Sequence, residues 1–450
     1  MSETIVLKRG LDIPVNGCAS LLVSKSMNPA VVAVEPGCVK GLLPRLLVKE
    51  GDRVLCGSPV IADKKNPDIL LTAPASGTVK AVVRGEKRKL LAVLIEADDK
   101  QEYVEFGAKD PSGLTADEVM ACLLKSGLWP LLIQRPYGIL ADPAAAPKGI
   151  FVSAFNTAPL AADNEFALGG EIAAIQKGID ALARIAPVHV SLDGALEQSA
   201  FAKLGGCTPH SFKGRHPAGN VGVQISHISP IRKGETVWTV SLHAVAAIGK
   251  LFASGRYNVR RKVAVTGPAA IEPSYVETLP GTPMKDFAAF YGSLADEIRF
   301  ISGDLLSGTG VGADGYLGLF DDQVTLIREG VDKELLGWIR PFRFNQFSND
   351  RSYFSWLLPC HKWDMDTNLH GGPRPFLMNE NYYAKVLPMD IYPIFLAKAC
   401  LAGDIEKMEK YGIYEVLPED LALCEFVDPS KNYIQDIIAR GIDLMLKEMA

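Results

Sequence analysis

The chain has 450 residues, 48% of them hydrophobic and 22% charged, with a formal net charge of −5. That length exceeds one compact core, since domains mostly run to about 100–200 residues, so three or four domains are expected. The composition excludes wholesale disorder, and the charge leaves no global footprint for nucleic acid or anionic lipid. The eight cysteines include no C-x-x-C, and so supply neither a zinc knuckle nor an iron–sulfur ligand set. No signal-peptide core opens the chain. The most apolar later stretch, Ile391–Gly403, carries Lys398 and falls short of the roughly 20 residues of a membrane helix, so a soluble, cytoplasmic chain is expected.

Residues 1–103 read as short strands closed by Gly, Pro or Asp, at Ile5–Leu7, Ala30–Val34, Arg45–Val48, Ser58–Ile61, Ile69–Thr72, Gly77–Val83 and Leu90–Glu96. Two half-motifs face each other, Val48-Lys49-Glu50-Gly51-Asp52-Arg53-Val54 and Ala73-Pro74-Ala75-Ser76-Gly77-Thr78-Val79, with Gly51 and Gly77 where tight turns need positive φ. The pair resembles the barrel-sandwich fold of biotinyl and lipoyl carriers. Between the halves, Asp63-Lys64-Lys65-Asn66-Pro67 stands where such carriers present a modified lysine. Lys64 is therefore a candidate for lipoyl or biotinyl attachment. The plainer alternative is an unmodified barrel reused for docking, which the stiff Pro67 tip and the absent flanking residues favour.

From 104 to 256 helices and strands alternate. Thr115 and Glu118 form a capping box for a helix over Thr115–Leu124. Strands at Leu131–Gln134, Ile150–Ser153 and Val188–Leu192, with helices at Glu171–Ala186 and Val240–Phe252 and an apolar stretch at Val221–Ser226, predict an open, Rossmann-like α/β sheet. No nucleotide fingerprint or Walker motif accompanies it. Residues 257–330 return to strands, Val259–Val265 and Val324–Arg328, around a glycine-rich middle, and are expected to form a small β-grasp-like (SLBB-like) domain. There Gly310-Val311-Gly312-Ala313-Asp314-Gly315 matches a dinucleotide motif by letter. It precedes an expected hairpin of Tyr316–Phe320 and Val324–Ile327 rather than a helix, so a phosphate would lack the helix N-terminus it needs.

Residues 331–386 interleave aromatic and basic side chains as a connecting segment: Trp338, Phe342, Phe344, Phe347, Tyr353, Phe354, Trp356 and Trp363, with Arg340, Arg343, Arg351 and Lys362. Residues 387–450 are expected to close the protein as a helical bundle, with Asp390 capping Ile391–Leu401, a restart at Gly403-Asp404, and Ser430 capping a last helix. That helix carries an apolar stripe of Ile434, Ile437, Ile438, Ile442 and Met445.

Candidate sites are sparse. His361, Asp364, Asp366 and His370 could ligate a divalent ion, but their spacing matches no standard pattern and a solvated loop is the simpler reading. His210, His216 and His227 lie near Cys207, Ser211 and Ser226 without a nucleophile elbow, so hydrolase chemistry has little support. Two basic clusters, Arg84/Lys87/Arg88/Lys89 and Arg256/Arg260/Arg261/Lys262, are either solvated faces or a surface for an acidic or membrane-proximal partner. Leu131–Gly138 runs from a buried strand into a loop with Arg135 and Tyr137. Ligands bind beyond strand ends in open α/β sheets, so a pocket is sought there, beside the alternative of a capped, ligand-free strand end.

An ordered set of motifs then singles out one family: Lys8-Arg9-Gly10-Leu11-Asp12-Ile13-Pro14, Asp63–Pro67, Thr72-Ala73-Pro74-Ala75-Ser76-Gly77, Arg84-Gly85-Glu86-Lys87-Arg88, Pro159-Leu160-Ala161-Ala162-Asp163, His216-Pro217-Ala218-Gly219, Ala247-Ile248-Gly249-Lys250-Leu251-Phe252 and Asp420-Leu421-Ala422-Leu423-Cys424-Glu425-Phe426. Across essentially the whole chain this resembles the A subunit of the sodium-translocating NADH:quinone oxidoreductase, a bacterial respiratory pump. The resemblance implies a peripheral subunit on the cytoplasmic side of the inner membrane, docked on the membrane-embedded B subunit, with membrane association through partners only. The holoenzyme passes electrons from NADH to quinone and exports sodium, its FAD, FMN, riboflavin and iron–sulfur centres belonging to other subunits. The family is related to the C subunit of Rnf complexes and the flavoprotein subunit of complex I, which bind FMN and iron–sulfur clusters. In this chain the corresponding loop, Arg135-Pro136-Tyr137-Gly138-Ile139-Leu140, has no glycine cluster, and near the C-terminus only Cys424 remains of the four thiolates a cluster needs. No cofactor, metal or catalytic residue of its own is therefore expected. What is left is a structural role or a share in quinone binding, with Arg135 as donor to a carbonyl and Tyr137 as aromatic wall. The alternatives are a flavin/iron–sulfur dehydrogenase of the Rnf type and a carrier modified on Lys64.

Overall fold

The computed structural model describes residues 4–194, 199–292, 297–331, 334, 337, 342–349, 351, 353–358, 360–368 and 380–448. The chain opens with two strands, β1 (Ile5–Val6) and β2 (Ser20–Ser26), and continues through β3 (Val31–Val34), β4 (Pro44–Leu46), β5 (Arg53–Val54), β6 (Pro59–Asp63), β7 (Leu70–Thr72), β8 (Gly77–Arg84) and β9 (Leu90–Ala97). Sheets β3-β9-β8-β5 and β4-β6-β7 close the barrel-sandwich over Val60, Ile61, Val79, Val93 and Ile95. The first two strands pair outside the barrel: β1 with a strand of the α/β sheet and β2 with one of the third domain. Gly51 has φ +89° as its turn requires, whereas Gly77 lies outside the left-handed region. Gly77 is needed for space instead, since a Cβ there would stand 2.0 Å from the Glu96 carbonyl oxygen.

The α/β domain comprises α1 (Ala116–Ser126), β10 (Ile133–Arg135), β11 (Ile139–Leu140), β12 (Ile150–Ser153), α2 (Asn164–Leu168), α3 (Ile172–Leu182), β13 (Val188–Asp193), β14 (Thr208–Lys213), α4 (Val221–Ile228), β15 (Val237–Thr239) and α5 (Leu242–Ser254). The capping box of Thr115 and Glu118 is present at α1. The sheet order is β1-β14-β13-β12-β15-β10-β11; the first five strands run parallel, and β10 is antiparallel to β15. Helices α3 and α5 pack through Gly178 and Gly249, where a Cβ would lie 2.1 Å from the Val245 and 1.7 Å from the Ala174 carbonyl oxygen. Val221–Ser226 is thus helical, and β14 and β15 are strands the pattern did not reveal. Polar Thr208, His210 and Ser211 hide the first, and the second is only three residues long.

The third domain is a mixed sheet, β19-β18-β20-β16-β17-β2, built from β16 (Arg261–Thr266), β17 (Ser274–Thr278), β18 (Ile298–Ser302), β19 (Thr309–Gly310) and β20 (Gln323–Arg328). Its antiparallel hairpins are β16–β17 and β18–β19; Val324–Ile327 lies in β20, which pairs with β16 and β18 rather than with Tyr316–Phe320. Helices α6 (Glu380–Val386), α7 (Pro393–Ala402), α8 (Ile405–Lys410), α9 (Ala422–Val427) and α10 (Ile434–Glu448) form the terminal bundle. The stripe from Ile434 to Met445 is buried as expected. Asp390 and Ser430 are not the caps: Tyr392 precedes α7, which Pro393 opens, and α10 starts beyond Asn432. Among the described residues no helix is long and apolar enough to cross a membrane.

Candidate functional site

From β12 the chain turns through α2 and α3 to β13 on one side, while β15 flanks β12 on the other. Ligand crevices open at such a reversal, outside the carboxyl ends of the strands. Here a cavity of about 370 Å³ lies at that point. Ser153 ends β12 and Phe155 follows it, Val240, Ser241 and Leu242 lead from β15 into α5, and Asn220 and Val221 enter α4. Leu306 and Phe320 of the third domain and Leu417 and Glu419 of the terminal region complete the walls, so three domains meet around it.

Two helix N-termini face this space. Ser241 caps α5 by accepting from the Ala244 amide at 3.2 Å, whereas Asn220 before α4 makes no side-chain cap bond. Helix N-termini attract anions. The chain supplies its own here. Arg135, 2% exposed, donates from Nη1 to Asp420 Oδ2 and from Nη2 to Glu419 Oε1, both at 2.9 Å. Asp420 Oδ2 also accepts from the Leu417 amide at 3.0 Å. The pair presses on the first turn of α4, where a Cβ on Gly222 would stand 2.2 Å from Asp420 Oδ2 and 2.3 Å from Arg135 Nη1. Carboxylates of the chain's own thus stand beside the N-terminal turn of α4.

Other lining residues bring different chemistry. His243, 8% exposed, sits in the first turn of α5 with Nε2 3.4 Å from Asp322 Oδ2, and neither ring nitrogen makes a hydrogen bond of normal geometry. Burial pushes the Asp322 carboxyl up, but the hydrogen bond and charge of His243 and the charge of Arg261 outweigh it and hold it below the usual carboxylate range. Asn164 donates from Nδ2 to the Ala154 carbonyl at 3.1 Å, which leaves Oδ1 buried and without a partner. Arg135 Nε is likewise unpartnered. His216 also lines the cavity; its Nδ1 meets Thr157 Oγ1 at 3.1 Å, and burial depresses its pKa.

Of the two residues singled out from the sequence, Arg135 reaches the cavity and Tyr137 does not line it. The strand-end rule holds for parallel strands, but β10 is antiparallel, so Arg135 pairs with Val237 at the start of β15, away from the crevice. Only the length of its side chain brings Arg135 back. Tyr137, at φ +83°, turns to the terminal bundle, its ring 6.2 Å from that of Tyr414. Neighbouring Gly138 lies against Leu417, a wall residue.

The other candidates disperse. Lys64 is exposed at the β6–β7 hairpin, while Asp63 turns inward, accepting from the Leu43, Lys65 and Asn66 amides at 2.7, 3.1 and 2.8 Å. His361 packs on Trp363, Asp364 accepts from Asn16, and Asp366 accepts from the Asn368 amide; His370, like Trp338 and Arg340, lies outside the described residues. Among the described residues no group of three or more potential ligands could hold a metal. His210 bonds His189 at 3.0 Å, away from Cys207 and Ser211; His227 Nδ1 meets both the Val223 carbonyl and Ser226 Oγ, at 2.8 and 3.2 Å, and Ser226 Oγ itself donates to the Val223 carbonyl at 2.8 Å. The second basic cluster is not a shared surface: Arg261 is buried, Arg256 pairs with Glu105, Arg260 bonds the Met27 carbonyl, and Lys262 bonds the Phe166 carbonyl. Asn164, His243, Asp322 and Glu419 went unnoticed in the sequence. A strand running into a Ser-capped helix at Thr239-Val240-Ser241 was the available signal for His243.

Three family models match the chain: an NqrA N-terminal barrel-sandwich hybrid domain over residues 5–98, an NqrA second alpha/beta domain over 114–257, and an NQRA C-terminal domain over 262–312. Curated relatives are named as the A subunit of the Na(+)-translocating NADH-quinone reductase. One from Yersinia pestis bv. Antiqua (strain Angola) is 38% identical over 434 residues, covering 95% of this chain and 96% of the relative. Those from Cellvibrio japonicus (strain Ueda107) and Rhodopirellula baltica (strain DSM 10527 / NCIMB 13988 / SH1) are 37% and 35% identical, covering 97% and 98% of this chain and 98% of each relative. Among solved structures, an NAD+-reducing [NiFe]-hydrogenase in the air-oxidized state aligns at 13% identity and TM-score 0.36 over 72% of this chain and 63% of that one, too distant to carry an argument.

Proposed function

The chain belongs to the NqrA family, the A subunit of the Na(+)-translocating NADH-quinone reductase, and we propose that it docks on the membrane-embedded B subunit, lending the complex a crevice for the quinone head with no redox group of its own. The observation that carries this reading is the division of the crevice. Arg135 and Glu419 line it as a pair, with Asp420 on the other Arg135 nitrogen, while the remaining space has an apolar wall of Ile133, Phe155, Leu306, Phe320 and Leu417 beside the polar side chains of Asn164, Asn220 and His243. A quinone head is a neutral ring with polar atoms at its edge, and such ligands take apolar clefts with a few placed polar groups. Arg135 borders this space. Tyr137 acts from behind, where Tyr414 and the Gly138–Leu417 contact hold the wall. Cys424 is 1% exposed, and burial pushes its thiol up, away from the thiolate a cluster would need.

Peripheral attachment on the cytoplasmic face accords with the lack of a spanning helix among the described residues and with exposed apolar side chains such as Leu21, Leu22, Phe342 and Leu357. A visible spectrum and intact mass of the purified chain, with co-purification of the B subunit, test the reading. A colourless chain at its calculated mass that retains the B subunit is expected. A flavin or cluster band would favour the Rnf-type dehydrogenase, and added mass on Lys64 the carrier.

A further inference from the structure

On a chain whose formal net charge is −5, residues 84–89 reverse the sign: Arg84, Lys87, Arg88 and Lys89 stand against one carboxylate, Glu86. They form the tip of the β8–β9 hairpin, and that hairpin outruns its sheet. Strand β3 pairs with β9 only at residues 93–96, and β5 pairs with β8 only at Gly77 and Thr78. Residues 83–91 are therefore a two-stranded arm, rooted by the buried side chains of Leu90 and Ala92. A lone two-stranded ribbon is marginal in water, so the barrel behind it must hold this one in place.

The turn at the tip works against its own backbone. The Lys89 amide donates to the Glu86 carbonyl at 3.0 Å and the Gly85 amide to the Lys89 carbonyl at 2.9 Å, while Lys87 and Arg88 between them have φ +52° and +60°. Positive φ at both central positions defines the type I′ turn, which Asn-Gly fills with least strain. Here Lys-Arg fills it. All four cations are exposed, and among the described residues none is paired with a carboxylate; Arg84 Nη1 reaches only the Arg88 carbonyl, at 3.2 Å. Nearby carboxylates are engaged, Glu50 by the Val82 amide at 2.9 Å and Glu96 by Lys80 at 3.5 Å. Beside the cations two apolar side chains stay exposed: Val83, and Leu91, which lies against Gly85.

We propose that this arm rests on an anionic lipid surface, its cations among the headgroup phosphates and Leu91 and Val83 at the acyl boundary. Unpaired cations alone would suit an acidic protein as well. Apolar side chains set among them are the composition of elements that lie in a membrane interface. A bilayer is at hand, since the chain is a subunit of a sodium-translocating reductase. The inference gives the chain a lipid contact of its own beyond attachment through the B subunit, and it does not depend on the quinone reading.

The test is co-sedimentation of the purified full-length chain with vesicles of phosphatidylcholine alone and of phosphatidylcholine with about one-third phosphatidylglycerol, at about 0.05 M and about 0.3 M salt. Binding to the anionic vesicles that weakens with salt, and none to phosphatidylcholine alone, is expected. One cation near such a surface contributes about fivefold in partitioning, so Lys87→Asn with Arg88→Gly should weaken binding about 25-fold. The same variant should keep or raise the melting temperature, because Asn-Gly suits the turn, and this separates lost binding from misfolding. Exchanging the two, Lys87→Arg with Arg88→Lys, keeps the charge and should keep binding within about twofold. Leu91→Ser should weaken it about threefold. Lys64→Ala with Lys65→Ala removes two exposed cations from the β6–β7 hairpin and should leave binding unchanged. No binding to anionic vesicles, equal binding to both kinds, or equal losses from the two hairpins overturns the proposal. So does a Lys87→Asn/Arg88→Gly variant that keeps vesicle binding but no longer retains the B subunit, which would mark the arm as a dock for an acidic protein.

Discussion

The β6–β7 hairpin and the crevice beyond β12 and β15 both stand where their architectures carry ligands, yet the chain treats them differently. At the hairpin, Asp63 is 4% exposed and takes three backbone amides, and no side-chain atom there is left buried without a partner. At the crevice, Arg135 pairs with Asp420 and Glu419, yet Arg135 Nε, Asp420 Oδ1, Asn164 Oδ1 and both ring nitrogens of His243 are buried without a hydrogen-bond partner. An inherited ligand position is closed when the chain's own groups meet every donor and acceptor. Under the quinone reading proposed above, the crevice is the position left open.

The sharpest way to break this comparison is Arg135→Met. It leaves Asp420, whose side chain is 0% exposed, as a buried charge without its cation, and should cost about 3–5 kcal/mol in denaturant unfolding. A loss under about 1 kcal/mol would mean that Asp420 does not depend on Arg135 for its charge balance. Gly222→Ala pushes a methyl into the same pair and should cost about 1–3 kcal/mol by the same measurement. At the hairpin, Asp63→Ala removes the acceptor of three amides that water can partly replace, so about 1–2 kcal/mol is expected.

Smaller still is an effect of pH. Burial depresses the pKa of His216, His189 and His210, with His189 adding to the depression at His210. A depressed histidine contributes stability above its unfolded value of about 6.5 and loses it as pH falls toward the folded value. Melting temperature should therefore drop on acidification from pH 7.5 to about pH 5.5, and less so in His216→Asn. Lys64→Ala should change stability by under about 0.5 kcal/mol and leave co-purification with the B subunit intact; a larger effect would reopen the hairpin as a functional element.

How much of this was legible in the sequence depended on whether the signal was local. The alternating strands and the Gly51 turn marked the barrel, the Thr115 box marked α1, and the Ile434–Met445 stripe marked α10, because each pattern sits within one turn or one element. Strand β2 escaped because it is an edge strand exposed along its length, with no buried alternation to betray it. Asp390 failed as a cap because Pro393 sets the first turn of α7. The site was legible only in part. Arg135 was found from a strand end, though by a rule for parallel strands that β10 does not obey. Asn164, His243, Asp322 and Glu419 come from four separate segments, and no local periodicity brings them together. The ordered motifs identified the family without identifying the crevice.

The central claim is that the crevice takes a quinone head. Isothermal titration of the purified chain with a short-chain ubiquinone, beside Ala158→Phe, tests it directly, since Ala158 lines the cavity and a phenyl ring there would occupy part of it. Saturable binding by the wild-type chain that is lost in Ala158→Phe, with the melting temperature unchanged, is the expected result. No binding, or equal binding by both proteins, would contradict the account.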